Sequence, residues 1–296
     1  MIKLKFLGEG GSDLKTNIFG LPVSAGALYR GTEQSPDALR NAGLIDRLRE
    51  AGLDVQDHGN ITEAERLPRH NISPVRNWPA PRMVWEAMLN TADQLFNEEE
   101  FTIILGGDCS IEVGTFSAFR KVFGEDVHLL VLDGHVDTVA PSGNRCAGAA
   151  GMGLWFLTQD CKVWWQEEPF PAESITVIGN HTSADKEYGI KIIPFKETNV
   201  ERVKQSMNNI PDTSKILVHF DVDVLHKSVM PSAYSPSEKG LYMNQATGIF
   251  KTILADPRVK GLEVTEFSAD KDIDGKSSKA IIELLSLISE REKVVL

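Results

Sequence analysis

VHLLVLDGHVD, residues 127–137, decides the fold. A short apolar run, broken only by His128, stops abruptly at two acids and a histidine. Apolar residues on both faces mark a strand buried on both sides, as in a parallel sheet, rather than one that alternates between core and solvent. The same design recurs along the chain. FTIIL (101–105) runs into GGDCS (106–110), KILVHF (215–220) into DVD (221–223), and GLEVT (261–265) into Glu266. NIFGLP (17–22), SITVI (174–178) and KIIPF (191–195) read as further strands.

Helical segments lie between these runs. SPDALRNAGLIDRLREAGL begins at Ser35 as N-cap, with Pro36 in the first turn and Gly52 as the stop. PRMVWEAMLNTADQLF carries apolar residues at 84, 85, 88, 89, 92, 95 and 96, which is a helical stripe. SIEVGTFSAFRKVF, NQATGIFKTIL and SSKAIIELLSLI follow. Strand–helix alternation with right-handed crossovers predicts a three-layer α/β/α fold around a central, mostly parallel sheet. The alternation persists along the chain without a linker, a biased tract or a fixed repeat, so residues 1–296 read as one domain.

Composition narrows the function classes. The 296 residues are 42% hydrophobic and carry a net charge of −11, with no basic run of the kind that nucleic acid requires. Three cysteines, Cys109, Cys146 and Cys161, are too few and too odd for a disulfide framework and indicate a reducing compartment. MIKLKFLGEGG lacks the apolar stretch of a secretion signal, and no apolar run reaches the roughly 18 residues of a membrane span. The expectation is a cytoplasmic protein without nucleic-acid or membrane partners. No dinucleotide or phosphate-loop motif is present, so a nucleotide cofactor has no support.

The chemistry gathers where strands end. In open α/β sheets the C-terminal edge is where ligands bind. Residues two apart on extended chain point the same way, so Asp133, His135 and Asp137 can converge, as can Asp221 and Asp223. With Cys109 they make a set of four carboxylates, one imidazole and one thiol. That much negative charge packs together only around cations. Two divalent ions fit the set: carboxylate and nitrogen donors suit Mn²⁺, and a thiolate moves preference toward Zn²⁺ or Fe²⁺. Two ions about 3.5–4 Å apart acidify a water to near neutrality, which is hydrolase chemistry without a protein nucleophile. At this stage Cys109 reads as a ligand, as a nucleophile with His135 for its base, or as an uncoordinated buried thiol.

These blocks resemble those of the ureohydrolase superfamily, which includes arginase, agmatinase and formimidoylglutamase. The family pattern is Gly-Gly-Asp-His-Ser, Asp-Ala-His-x-Asp, Ser-x-Asp-x-Asp and a late Glu. Here it reads GGDCS, DGHVD, HFDVD and GLEVTEF, in the same order. The resemblance implies an arginase-like fold and a binuclear centre. Asp133, Asp137, Asp221 and Cys109 would bind one metal, and Asp133, His135, Asp221 and Asp223 the other. Glu266 would hold a guanidinium, and His135 and Asp137 would serve the chemistry. The family's trimers and hexamers imply a homo-oligomer.

Departures from the pattern shift the expected substrate. Cys109 stands where the family has its first ligand His, a change found in members that act on N-hydroxy-arginine. The family's proton-shuttle His falls at Ala150. Its contacts to a substrate α-carboxylate fall at Val139, Cys146 and Gly148, and those to the α-amino group at Thr182 and Ala184. Asn144, in SGN, and His181, in GNHTS, are the candidate replacements for substrate binding and proton transfer. The expectation is therefore release of urea, or a substituted urea, from a modified guanidino compound. Two alternatives stand beside it: a metal-poor, non-catalytic partner subunit, and a deacetylase-like amide hydrolase. Trp164 and Trp165 are expected to pack or to cover the rim of the site, and His128 and His226 to be structural or solvated.

Overall fold

A computed structural model describes residues 14–61, 68–181 and 186–294. The N-terminal MIKLKFLGEGG and the positions Thr182 and Ala184 lie outside the described residues. Among the described residues, nine strands form one sheet: β1 (Lys15–Gly20), β2 (Asp54–Asn60), β3 (Phe101–Leu105), β4 (Val127–Leu132), β5 (Ile175–Asn180), β6 (Lys186–Glu187), β7 (Ile190–Pro194), β8 (Lys215–Asp221) and β9 (Val259–Thr265). Their order across the sheet is β2-β1-β3-β9-β8-β4-β5-β7-β6. Every pairing is parallel except β6 with β7 at one edge. The four strands that end in chemistry, β3, β9, β8 and β4, are consecutive neighbours in the middle.

Helices cover both faces, as the apolar runs require. On one face lie α1 (Ser35–Asn41), α2 (Leu44–Glu50), α7 (Val200–Met207), α8 (Met243–Leu254) and α9 (Lys276–Ser286). On the other lie α3 (Ala80–Asn90), α4 (Ala92–Leu95), α5 (Ile111–Phe123) and α6 (Gly153–Thr158). Side chains alternate between the two cores. Leu130 and Leu132 of β4 pack with the first group, and Leu129 and Val131 with the second. Because both cores are apolar, the strands read as continuous runs rather than as alternation.

Three details depart from the sequence reading. The expected helix from Ser35 is two helices, broken at Gly43, whose φ of 91° is a backbone conformation that suits glycine. Ser35 is the first helical residue and Gln34 stands at the cap, so the hydroxyl does not serve as the N-cap. Strand β2 was not foreseen. It is DVQDHGN at the sheet edge, with only Val55 buried, and has no apolar run to betray it.

Candidate active site and metal centre

The site grows from the loops that leave β3, β4, β8 and β9. After β3, Gly107 lets the chain press against the Val23 carbonyl: a Cβ there would stand 1.7 Å from that oxygen. The close approach is locked by Asp108. It is buried and accepts hydrogen bonds from the Gly26 and Ser110 amides at 2.9 and 3.0 Å. Asp108 is thus a strut between loops, and its neighbour Cys109 faces the cluster. The Cys109 amide donates to Glu266 Oε1 at 2.8 Å, and its thiol donates to Asp221 Oδ2 at 3.1 Å.

After β4, Asp133 Oδ1 accepts from the His135 amide at 2.6 Å. His135 Nδ1 stands 3.0 Å from Asp223 Oδ2. At the end of β8, Asp221 Oδ1 accepts from the Asp223 amide at 2.7 Å, and Asp223 Oδ1 from the Gly134 amide at 3.1 Å. Asp133, Asp221, Asp223 and Glu266 are all buried. Asp137 and Glu266 both adopt positive φ, 53° and 63°. For side-chain-bearing residues that is strained backbone, kept where the surroundings over-determine it. The surroundings of Glu266 do so. Its amide donates to Gly107 O at 2.9 Å, and its carbonyl accepts from the Tyr234 amide at 2.7 Å.

Electrostatics show what the cluster lacks. Burial, with the charges of Asp137 and Asp223, pushes the Asp133 carboxyl well above the usual range. Burial also raises Asp221, together with Asp223 and Asp133, and raises Asp137, together with Glu112. Glu266 is pushed up to about 8 by burial and the Asp108 charge. His135 rises to about 9, chiefly through its hydrogen bond to Asp223. Burial and the nearby Asp221 push the Cys109 thiol up. Acids this crowded hold their protons unless a cation sits among them. The donor set therefore fits divalent metal. Among the described residues, two groups bring donor atoms within 4.8 Å of one another: Asp133, His135 and Asp223, and Cys109, Asp133 and His219.

A cavity of about 720 Å³ opens over these groups. Cys109, His135, Asp137, Asp221, Asp223 and Glu266 line it, and so do His181, Ala150, Val139 and Gly148. His181 is half-buried, its ring 5.8 Å from that of His135. Its amide donates to Gly134 O at 2.9 Å, and burial lowers its pKa. Asn144 is exposed and lies outside the lining; its neighbour Arg145 lines the cavity instead. Trp164 and Trp165 pack away from the cavity, edge-on to Trp78 and Trp85 at 5.0 and 5.5 Å. His128 is buried against Thr176, and His226 stacks on Tyr242, so both are structural.

Several lining residues had no motif to mark them. Arg76, Arg145 and Glu187 reach the cavity from separate loops and from the sheet edge, a convergence that no spacing records. His219 is different. It is buried on β8 two residues before Asp221, with the same strand parity, so these two side chains leave one face of the strand, and Asp223 follows in the short 3-10 turn Val222–Val224.

The class that fold and site define is a three-layer α/β hydrolase whose reactive groups ride on loops at the C-terminal edge of the sheet. The chain belongs to the arginase family, whose model matches residues 14–289. Members are metal-dependent amidinohydrolases that act on C–N bonds, and this chain is an enzyme of that class. It is 27% identical over 297 residues to the arginase of Bacillus caldovelox, covering 93% of this chain and 98% of that one. It is 26% identical over 272 residues to arginase-1 of Bos taurus, covering 84% and 83%. Its fold matches the Entamoeba histolytica arginase solved with L-ornithine: the TM-score is 0.81, at 17% identity, over 93% of this chain and 98% of that one. Among the described residues no helix is long and apolar enough to cross a membrane.

Proposed function

We propose that the chain, read as one catalytic domain, hydrolyses a guanidino acid to urea, or a substituted urea, and an amine. The observation that carries this reading is the convergence of four neighbouring strand ends on one cavity, with Glu266 beside the Cys109, Asp221 and Asp223 cluster. Cys109, Asp133, His135, Asp137, Asp221 and Asp223 would hold two divalent ions. Mn²⁺ suits the carboxylate-rich part, and Zn²⁺ or Fe²⁺ suits the thiolate part. Such ions supply Lewis acidity, which acidifies water and polarises the reacting group.

The chain's own residues do the rest. Glu266 pairs with the planar guanidinium through forked, charge-assisted hydrogen bonds and presents its central carbon. Water adds to that carbon. Asp137 takes the proton and returns it to the departing nitrogen, with His135 and His181 lining the path. Arg76 and Arg145 offer forked donors to a substrate carboxylate, and Glu187, held by Thr138 Oγ1, offers charge to an α-amino group. This head-group set differs from the pattern that the resemblance implies for arginine. Cys109, in the place of the family's first ligand His, is what favours a modified guanidino acid such as N-hydroxy-arginine over arginine. The reading includes a homotrimer or hexamer in the cytoplasm.

The test is a panel of guanidines offered to Mn²⁺-reconstituted enzyme, with urea measured by colorimetry. Urea release from a guanidino acid is expected. Glu266→Gln should lower kcat/KM by about 10–100-fold through loss of a charge-assisted pair. Fully metallated protein that releases urea from no guanidine would sink the reading.

A further inference from the structure

The buried histidine of β8 is built like a metal ligand. His219 is 1% exposed. Its Nδ1 is 2.7 Å from Glu263 Oε1 on the adjacent strand, and Glu112 Oε2 of α5 stands 3.9 Å from the same nitrogen. The other nitrogen, Nε2, faces Thr265 Oγ1 at 3.3 Å, and that hydroxyl stands 3.1 Å from Cys109 Sγ. A carboxylate that fixes one imidazole nitrogen while the other faces a hydroxyl beside a thiol matches the way proteins orient histidine ligands. Two further atoms point the same way. Among the described residues Glu112 Oε1 and Glu263 Oε2 are buried without a hydrogen-bond partner, so the ring sits among carboxyl oxygens with bonding capacity left over.

We propose that Cys109, Asp133 and His219 form a thiolate–carboxylate–imidazole metal seat, with Glu263 as the residue that positions His219. This rests on the binuclear reading above and adds a ligand which that reading does not contain. The donor atoms already lie within 4.8 Å of one another, and the donors of one ion with bonds of about 2.0–2.3 Å stand roughly 3.5 Å apart. Small side-chain motions close the difference. On binding, the Cys109 thiol gives up the proton it now shares with Asp221, and that proton leaves to solvent. Mixed sulfur, nitrogen and oxygen donors select a softer ion, Zn²⁺, Fe²⁺ or Co²⁺. The neighbouring group of Asp133, His135 and Asp223 lacks sulfur and suits Mn²⁺. The two seats are therefore inequivalent, and His219 supplies the nitrogen ligand that Cys109 does not.

The experiment loads chelator-stripped protein with Co²⁺ and reads the near-ultraviolet thiolate-to-cobalt band, cobalt per chain and proton release. Wild type should show the band. Cys109→Ser should lose it while retaining cobalt at the other seat. His219→Asn should shift or abolish the band and weaken one cobalt at least about tenfold, and Glu263→Gln should weaken the same cobalt about 10–100-fold. Circular dichroism checks folding. Should His219→Asn not fold, the exposure-neutral Glu263→Gln carries the test. A wild-type protein without the band overturns the seat, as does a folded His219→Asn, or Glu263→Gln in its stead, whose band and affinity match wild type. An intact, His219-dependent band in a protein that releases no urea supports the seat and rejects the substrate reading instead.

Discussion

Two histidines lie buried inside neighbouring strands, on opposite faces of one sheet, and the sheet uses them differently. His128 of β4 has the parity of Leu130 and Leu132 and faces the core of α7 to α9. Its hydrogen-bond partner is a single hydroxyl, Thr176 Oγ1, at 3.1 Å. His219 of β8 has the parity of Leu217 and faces α5. It meets two carboxylates on one side and a hydroxyl–thiol pair on the other. His128 is neutral filler near the start of a strand. His219 is part of a charged construction that continues to the strand's end and into the cavity. Depth along the strand and the choice of face, not burial, separate a structural histidine from a functional one.

The largest effect should come from breaking the charged side of this contrast. Asp221 accepts from the Cys109 thiol and the Asp223 amide and lies between the two donor groups. Asp221→Asn keeps the shape and removes the charge. Metal content should fall, and kcat/KM should drop by more than about 100-fold. The opposite sign is expected for stability without metal: neutralising one member of a crowded acid cluster should raise the Tm of chelator-treated Asp221→Asn above that of treated wild type. Calorimetry in chelator and in Mn²⁺ checks both signs. A lower Tm in chelator would mean that the cluster is not strained by its own charge.

The same contrast explains what could be read from the chain alone. Asp133, His135, Asp137, Asp221 and Asp223 were legible because each follows an apolar run, at spacing two, at the edge where α/β folds bind ligands. The parallel sheet was legible because both faces of its central strands are apolar. His219 was hidden by position: it sits inside such a run, where a histidine reads as core, and only its partner Glu263 on β9 reveals it. Strand β2 was hidden because an edge strand need bury only one residue, Val55. Arg76, Arg145 and Glu187 were hidden because they reach the cavity from loops and a two-residue edge strand, which leave no periodic trace. Asn144 and Arg145 show the limit most sharply: they are neighbours in sequence and both exposed, and only Arg145 lines the cavity.

The structural histidine predicts a smaller effect, on stability alone. Burial, helped by the charges of Lys191 and Arg258, lowers the pKa of His128 to about 3. The unfolded chain takes up a proton as pH falls through about 6.5, and the folded chain does not. The native state is therefore fully favoured above that pH and loses stability between it and about 3. At pH 5 the loss should be about 2 kcal/mol relative to pH 7. His128→Gln should flatten that limb of a denaturation series by this amount and leave turnover and metal content unchanged. An unchanged acid limb would show that His128 is protonated in the fold, and the contrast with His219 would fail.

The smallest effect tests the rim rather than the floor of the cavity. The acids of the floor serve cations, metal and guanidinium alike, so a substrate's anionic group must find its partner elsewhere. Arg145 lines the cavity where the sequence had pointed to Asn144. If Arg145 pairs with a substrate carboxylate, Arg145→Ala should raise KM about tenfold, near 1.4 kcal/mol, for a guanidino acid, with kcat little changed. A guanidine without a carboxylate should show no change in KM, because the lost contact was never made. Equal losses for both substrates would assign Arg145 to holding the loop instead. The difference between the two KM ratios isolates recognition from scaffolding, a separation that neither histidine variant provides.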